Sequence, residues 1–289
     1  MSTPPSAEVT IAGLRAGDMV DAVFACSRKD RLTARSGSPY LALELRDKTG
    51  AIQARAFKDA DVLSGRFDRG DLVRVAGRVD RFRDELQLEI RNIIRAEQAD
   101  PAAFLPVAYR NVDELEGFLE HLAREVHDPA YAQLLQRLLA DDGLRAEWRR
   151  APCTRGGHHA YLGGLLEHTV AVGTLALECA QLHPRLNPDL LLTAALVHDL
   201  GKTREFTYGA EIGLTDEGRL LGHVVLGQRI LDAFELPDDR RLALAHCVLT
   251  HHGPQNAPGG RFGSAEALAL YRLNALDASV KGALEHGLP

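Results

Sequence analysis

Residues 190–202, LLLTAALVHDLGK, decide how the second half of the chain is read. An apolar helix runs into an adjacent imidazole and carboxylate, His198 and Asp199, and Gly201 just behind them reads as a helix terminator. Neighbouring residues on a helix point about 100° apart. Both side chains can therefore reach one site most easily beyond the last turn. An aspartate in so apolar a stretch is costly to bury unless a cation or a hydrogen-bond donor meets it.

Four other apolar, helix-like segments carry groups of the same kind. His168 lies within LLEHTVAVG (165–173) and His223 opens GHVVLGQRIL (222–231). The pair His251-His252 closes LALAHCVLTHHG (242–253), and Asp277 sits in ALYRLNALDAS (269–279). Five of the twelve histidines fall at these positions, too many for scattered surface or capping residues. Imidazole with carboxylate suits divalent manganese, iron, nickel or magnesium. Seven such groups exceed the needs of one ion and match two ions sharing a bridging carboxylate. Two ions about 3.5–4 Å apart are suited to splitting phosphate esters, and the space between helices of a bundle is a common place for them.

Upstream the pattern changes. From about Gly17 to Arg95 the apolar residues alternate: Leu41, Leu43, Leu45; Val73, Val75, Val79; Leu86, Leu88, Ile90. That period of two marks half-buried strands. Asp47-Lys48-Thr49-Gly50 reads as a hairpin turn, and Ala60–Gly65 as a helix between the third and fourth strands. Five strands with that insert predict a small Greek-key barrel of the OB type, with an SH3-like barrel or small sandwich as the competitor. Residues 1–8 read as a disordered tip. After Ala99-Asp100-Pro101 the period becomes 3.6, with Val112, Leu115, Phe118, Leu119, Leu122 and Val126 on one face. Tyr131, Leu134, Leu135, Leu138 and Leu139 follow behind a first-turn Pro129. The fold class is thus α+β multidomain: an OB-like nucleic-acid-binding barrel over 1–98, a helical linker or subdomain over 99–157, and an all-α domain over 158–289.

The chain has 289 residues, a net charge of −6, 45% hydrophobic and 26% charged residues, as in an ordinary globular protein. No apolar run approaches the roughly 20 residues of a membrane span, and no secretory signal is visible, so a cytoplasmic location without membrane association is expected. Cys26, Cys153, Cys179 and Cys247 lie far apart and read as reduced, packed thiols. Residues 1–100 hold 17 Lys+Arg against 16 Asp+Glu; residues 101–289 hold 17 against 24. The acidic half suits a cation centre and argues against nucleic-acid binding there by bulk charge. In the barrel, Phe24, Tyr40, Phe57 and Phe82 could stack bases, and basic residues including Arg28, Lys29, Arg55, Arg81 and Arg83 could meet phosphates. Arg81, Phe82 and Arg83, in the turn-like VDRFRDE, are the best placed of these.

The order H…HD…H…HH…D, centred on VHDLGK, resembles the HD-domain superfamily of metal-dependent phosphohydrolases. HHAYLGGLLEHT (158–169), LTDEGRLLGH (214–223) and LTHHG (249–253), behind an OB-like domain, look like the YhaM-type 3′→5′ exoribonucleases. The resemblance implies one ion on His168, His198, Asp199 and Asp277, a second on Asp199, His223, His251 and His252, and a bridging Asp199. It implies a phosphate-directed Lys202, and His158 and His159 become candidates for substrate contact or leaving-group protonation. The expected cofactors are two divalent ions, manganese first, with iron, nickel, cobalt or magnesium as alternatives. The expected activity is 3′→5′ hydrolysis of single-stranded RNA, with single-stranded DNA as a further substrate. A phosphohydrolase of mononucleotides or cyclic dinucleotides is the rival enzyme; a nucleic-acid scaffold with structural metals is the rival non-enzyme. Oligomeric state is not readable from the sequence.

Overall fold

The structure is a computed structural model that describes residues 9–34 and 37–287; the expected tip at 1–8 lies outside them. Two compact units divide the chain, Met1–Leu105 with Tyr208–Gly213, and Pro106–Thr207 with Leu214–Pro289.

The first unit holds β1 (Met19–Thr33), β2 (Pro39–Asp47), β3 (Gly50–Ala56), the short α1 (Ala60–Ser64), β4 (Leu72–Phe82) and β5 (Glu85–Arg95). They close into a barrel in the order β1-β2-β3-β5-β4. Neighbours pair antiparallel except β3 with β5, which run parallel. This closed five-stranded order, with its helix between β3 and β4, is the OB arrangement, and the SH3-like and sandwich alternatives fall. The β2–β3 turn is tied by Asp47, whose Oδ1 accepts from the Thr49 N–H at 2.7 Å and the Gly50 N–H at 3.0 Å. The alternating residues point inward as expected: Leu41, Leu43, Leu45, Val73, Val75, Val79 and Leu88 are fully buried, while Leu86 only flanks the core. The gap between Val75 and Val79 coincides with a register shift at Ala76/Gly77. A Cβ on Gly77 would stand 2.3 Å from the Glu89 carbonyl oxygen, so only glycine lets the strands approach there.

The second unit holds α2 (Val112–Arg124), α3 (Pro129–Ala140), α4 (Asp142–Arg150), α5 (Gly164–Leu182), α6 (Pro188–Val197), α7 (Lys202–Glu205), α8 (Asp216–Asp232), α9 (Asp238–Thr250) and α10 (Ala265–His286). Side chains of Asn111, Asp128, Asp141, Asn187, Thr215 and Ser264 cap helix N-termini, and Pro129 and Pro188 occupy first-turn positions. Every residue of α6 from Leu190 to Val197 is buried, so it forms the centre of the bundle. Phe118, expected on the inner face of α2, is half exposed beneath the Arg110 guanidinium. A two-stranded hairpin, β6 (Phe206–Tyr208) and β7 (Ile212–Leu214), interrupts the helices. Its strands are too short for a period to register. Among the described residues no helix is long and apolar enough to cross a membrane.

Candidate metal centre

The end of α6 builds the centre. His198 caps the helix, and a tight turn (Lys202 N–H to Asp199 carbonyl, 2.9 Å) starts α7. Gly201 does not end α6 by a left-handed conformation, since its φ is −62°. It is glycine because α8 crosses there: a Cβ would stand 1.9 Å from the His223 carbonyl oxygen. That approach brings His223 beside Asp199. His223 follows Gly222, whose positive φ breaks α8, so the histidine opens a new helical segment as expected.

Two donor groups meet at Asp199. Asp199, His223, His251 and His252 have ligand atoms within 4.8 Å of one another, and so have His168, His198 and Asp199. Asp277 does not join the second group. Its Oδ2 lies 2.6 Å from His168 Nδ1, whereas His168 Nε2 faces Asp199 at 3.6 Å. Asp277 groups instead with His159 and His168. The backbone decides which nitrogens are free. His198 donates its Nδ1–H to the Ala195 carbonyl (2.8 Å) and His251 to that of Val248 (2.6 Å). With Asp277 taking the His168 Nδ1–H, all three rings turn Nε2 lone pairs inward, the arrangement that orients metal-bound histidines.

Those lone pairs lack partners of opposite sign. His168 Nε2 and His198 Nε2 face each other at 3.3 Å. His251 Nε2 and Asp199 Oδ1 are buried without any hydrogen bond and stand 3.5 Å apart. A cation satisfies such a set, so the donors fit divalent-metal binding. Charge agrees. Burial pushes the Asp199 carboxyl up, but the Lys202 ammonium and His198 hold it well below the usual range. Burial opposes a charge on Lys202, yet Asp199 at 2.7 Å raises its pKa. Burial brings His168 down to about 3 and lowers His251, leaving both imidazoles neutral at neutral pH.

His158 and His159 occupy a turn pinned by the Cys153 N–H to His159 carbonyl bond (3.0 Å) and by Glu285, which accepts the His159 N–H at 2.9 Å. His159 has a φ of 51°, a strained value for a residue other than glycine. Both rings tilt against His168, at centroid distances of 5.2 and 5.5 Å. Burial lowers their pKa values to about 4 and about 3. The sequence reading missed three neighbours. Asn274 Oδ1 lies 3.0 Å from His168 Nε2. Glu205 accepts the His223 N–H at 3.2 Å. Cys153 Sγ lies 3.3 Å from Lys202 Nζ. Only Asn274 carried a signal, one turn before Asp277 on the same helix.

On the barrel, Tyr40 stacks on Phe57 (5.5 Å between ring centroids, 29°), and the Arg55 guanidinium lies 5.5 Å from both the Tyr40 and Phe82 rings. Arg83 covers Phe82 at 5.4 Å. Phe57 and Phe82 are half exposed. The β4–β5 turn consists of Arg83 and Asp84, both with positive φ, while Arg81 and Phe82 remain on the strand. The other candidates are elsewhere. Phe24 is core, Arg28 pairs with Asp30 at 2.5 Å, and Lys29 donates to the Ser64 and Phe67 carbonyls at 2.8 and 2.5 Å. Lys29 thus supports the α1 region.

Comparison with known proteins agrees with this geometry. The HD domain model matches residues 165–279, and that of the OB-fold nucleic acid binding domain matches residues 24–95. The chain is 27% identical over 286 residues to a Listeria monocytogenes protein named 3′-5′ exoribonuclease YhaM, covering 94% of this chain and 89% of that one. It is 29% identical to the Bacillus subtilis protein of the same name, covering 82% and 77%. Among solved structures, the second OB-fold domain of replication protein A from Methanococcus maripaludis aligns with 32% of this chain and 97% of its own at 20% identity, with a TM-score of 0.26. The barrel assignment rests on strand order rather than on that alignment. With the H…HD…H…HH donors gathered at Asp199, the chain carries an HD domain over residues 165–279, preceded by an OB-fold nucleic acid binding domain over residues 24–95.

Proposed function

We propose that this protein is a metal-dependent 3′→5′ exoribonuclease that hydrolyses single-stranded RNA, with single-stranded DNA as a further substrate, using two divalent ions at Asp199. The observation that carries the reading is the pair of donor groups sharing that carboxylate, their Nε2 lone pairs turned inward. Divalent ions, manganese first, would supply an activated water and neutralise phosphoryl charge. His168 and His198 would serve one ion, His223, His251 and His252 the other, with Asp199 between them; Asp277 would orient His168 by accepting its Nδ1–H.

The chain's own groups divide the remaining work. The Lys202 ammonium, paired with Asp199 at 2.7 Å, would turn to a phosphoryl oxygen and offset its growing charge. His158 and His159, kept neutral by burial, are suited to hydrogen-bond the terminal nucleotide rather than to protonate the leaving 3′-oxygen as imidazolium. On the barrel, Tyr40, Phe57 and Phe82 would stack successive bases, with Arg55, Arg81 and Arg83 at the phosphates. Relatives named as exoribonucleases over most of the chain support the substrate class. We place the protein in the cytoplasm and keep the limits 1–98, 99–157 and 158–289 for its parts.

End-labelled RNA of several lengths, digested beside mononucleotides and cyclic dinucleotides, tests the reading. Stepwise shortening from the 3′ end is expected. Turnover of the small nucleotides with intact RNA would overturn it.

A further inference from the structure

The proposed hydrolysis leaves one group beside the centre without a task. Cys153 is buried, its N–H is fixed on the His159 carbonyl, and its sulfur lies 3.3 Å from Lys202 Nζ and 3.8 Å from Asp199 Oδ2. Ligand atoms of Cys153, His158 and His168 stand within 4.8 Å of one another. Among the described residues this is the only such group that contains sulfur.

We propose that Cys153, His158 and His168 form a second, soft-metal site that takes zinc and, by sharing His168 with the Asp199 centre, makes the enzyme zinc-inhibited. The donor types separate the two sites. Carboxylate and imidazole around Asp199 accept manganese, which stands lowest in the affinity order of divalent first-row ions; a thiolate with two imidazoles selects zinc. Three protein ligands and an open position are a familiar zinc arrangement, with Zn–S about 2.3 Å and Zn–N about 2.0–2.1 Å. Ligand atoms already within 4.8 Å need only small side-chain shifts to close on one ion. A thiol that coordinates zinc is deprotonated outright, its proton leaving to solvent. The bound ion draws the sulfur away from the Lys202 ammonium, and the thiolate and the Asp199 carboxylate offset its charge. The Asp199 centre loses the undivided use of His168, and that loss is what inhibits.

The test uses full-length, chelator-treated protein. Cobalt, a spectroscopic stand-in for zinc, should give a sulfur-to-metal charge-transfer band in the near ultraviolet that disappears in Cys153→Ser. Absence of the band in the wild type, or its persistence in Cys153→Ser through another cysteine, overturns the site. In manganese-loaded enzyme acting on a chromogenic phosphodiester, Cys153→Ala should keep its rate but need more than about tenfold more zinc for half-inhibition, because removing even an outer partner of a metal ligand costs about 10–100-fold in affinity and Cys153 would hold the ion directly. Equal zinc sensitivity overturns the inhibitory role. Should Cys153→Ser not fold, Cys153→Ala takes its place in the cobalt titration. The cobalt spectrum is independent of RNA, so failure of the exoribonuclease reading would leave it intact.

Discussion

Asp199 and Arg55 each stand at the middle of a cluster, and the clusters differ in what surrounds them. Asp199 is 2% exposed, ringed by imidazoles, with one oxygen lacking any hydrogen bond. Arg55 lies partly open to solvent between two aromatic rings. Water satisfies whatever Arg55 does not contact. Asp199 Oδ1 and His251 Nε2 are buried without a hydrogen bond, an unmet demand that a cation would satisfy. The buried cluster is therefore compatible with a divalent ion, whereas the exposed one only favours a kind of partner. Substitutions should be severe at the first and graded at the second.

The largest expected effect is at Asp199. Asp199→Ala should lower hydrolysis by about 10³-fold and reduce the metal found by elemental analysis. It also leaves the Lys202 ammonium buried without its partner, which should cost the metal-free protein about 3–5 kcal/mol in denaturant unfolding. Near-normal activity would remove the basis for contrasting the two regions. Lys202→Ala should slow turnover by about 10²-fold with metal content unchanged. Loss of metal would show that the lysine holds the site together rather than meeting a phosphate.

The imidazoles make the buried cluster sensitive to acid. His158 at about 4 and His159 and His168 at about 3 lie below the ordinary 6.5 because burial disfavours their charged forms. Between those values the unfolded chain binds more protons than the folded one, so stability rises with pH. Chelator-treated protein should be most stable above pH about 6.5 and lose stability as pH falls towards 4. Asp277, raised by burial, acts with the opposite sign and offsets part of the loss near the lower limit. Thermal melts across that range check the slope, which His158→Asn should flatten. A flat profile in the wild type would mean that the rings are not buried as neutral groups.

The barrel should respond more gently. Tyr40→Ala or Phe82→Ala should each weaken the apparent affinity for long RNA by about tenfold, since a base–aromatic stack contributes about 1–3 kcal/mol. Turnover of a small phosphodiester should not change. The smallest effect is expected from Arg81→Ala with Arg83→Ala, which should reduce the salt slope of RNA binding by roughly 0.7 per lost phosphate contact. Equal effects on RNA and on the small ester would turn the barrel into a stabilising element and erase the contrast from the other side.

The periods and the ligand order were legible in the sequence because each is local. Leu41, Leu43 and Leu45 alternate along one strand, and the helix at 60–64 interrupts that pattern where the OB reading expected it. Asp199 announced itself as a carboxylate at the end of an apolar helix. What was not legible depends on contacts between distant segments. The role of Gly201 depends on α8 crossing it, and the contact of Asp277 depends on which nitrogen His168 turns towards it. Lys29 reads as a phosphate ligand until Ser64 and Phe67 are seen to occupy it.

By itself the sequence determined two domains of opposite period, the seven candidate ligands, and the chemistry of ion and substrate those ligands suggest. Only the tertiary structure decided that Asp199 stands between two donor groups, that Asp277 meets His168 on its far nitrogen, that Arg55 rather than Lys29 joins the exposed aromatics, and that Cys153 stands next to Lys202. The physical reason is the range of the interactions. Hydrophobic periodicity is written along one helix or strand. The direction of a lone pair is set by whichever carbonyl or carboxylate the folded chain brings to the other side of the ring.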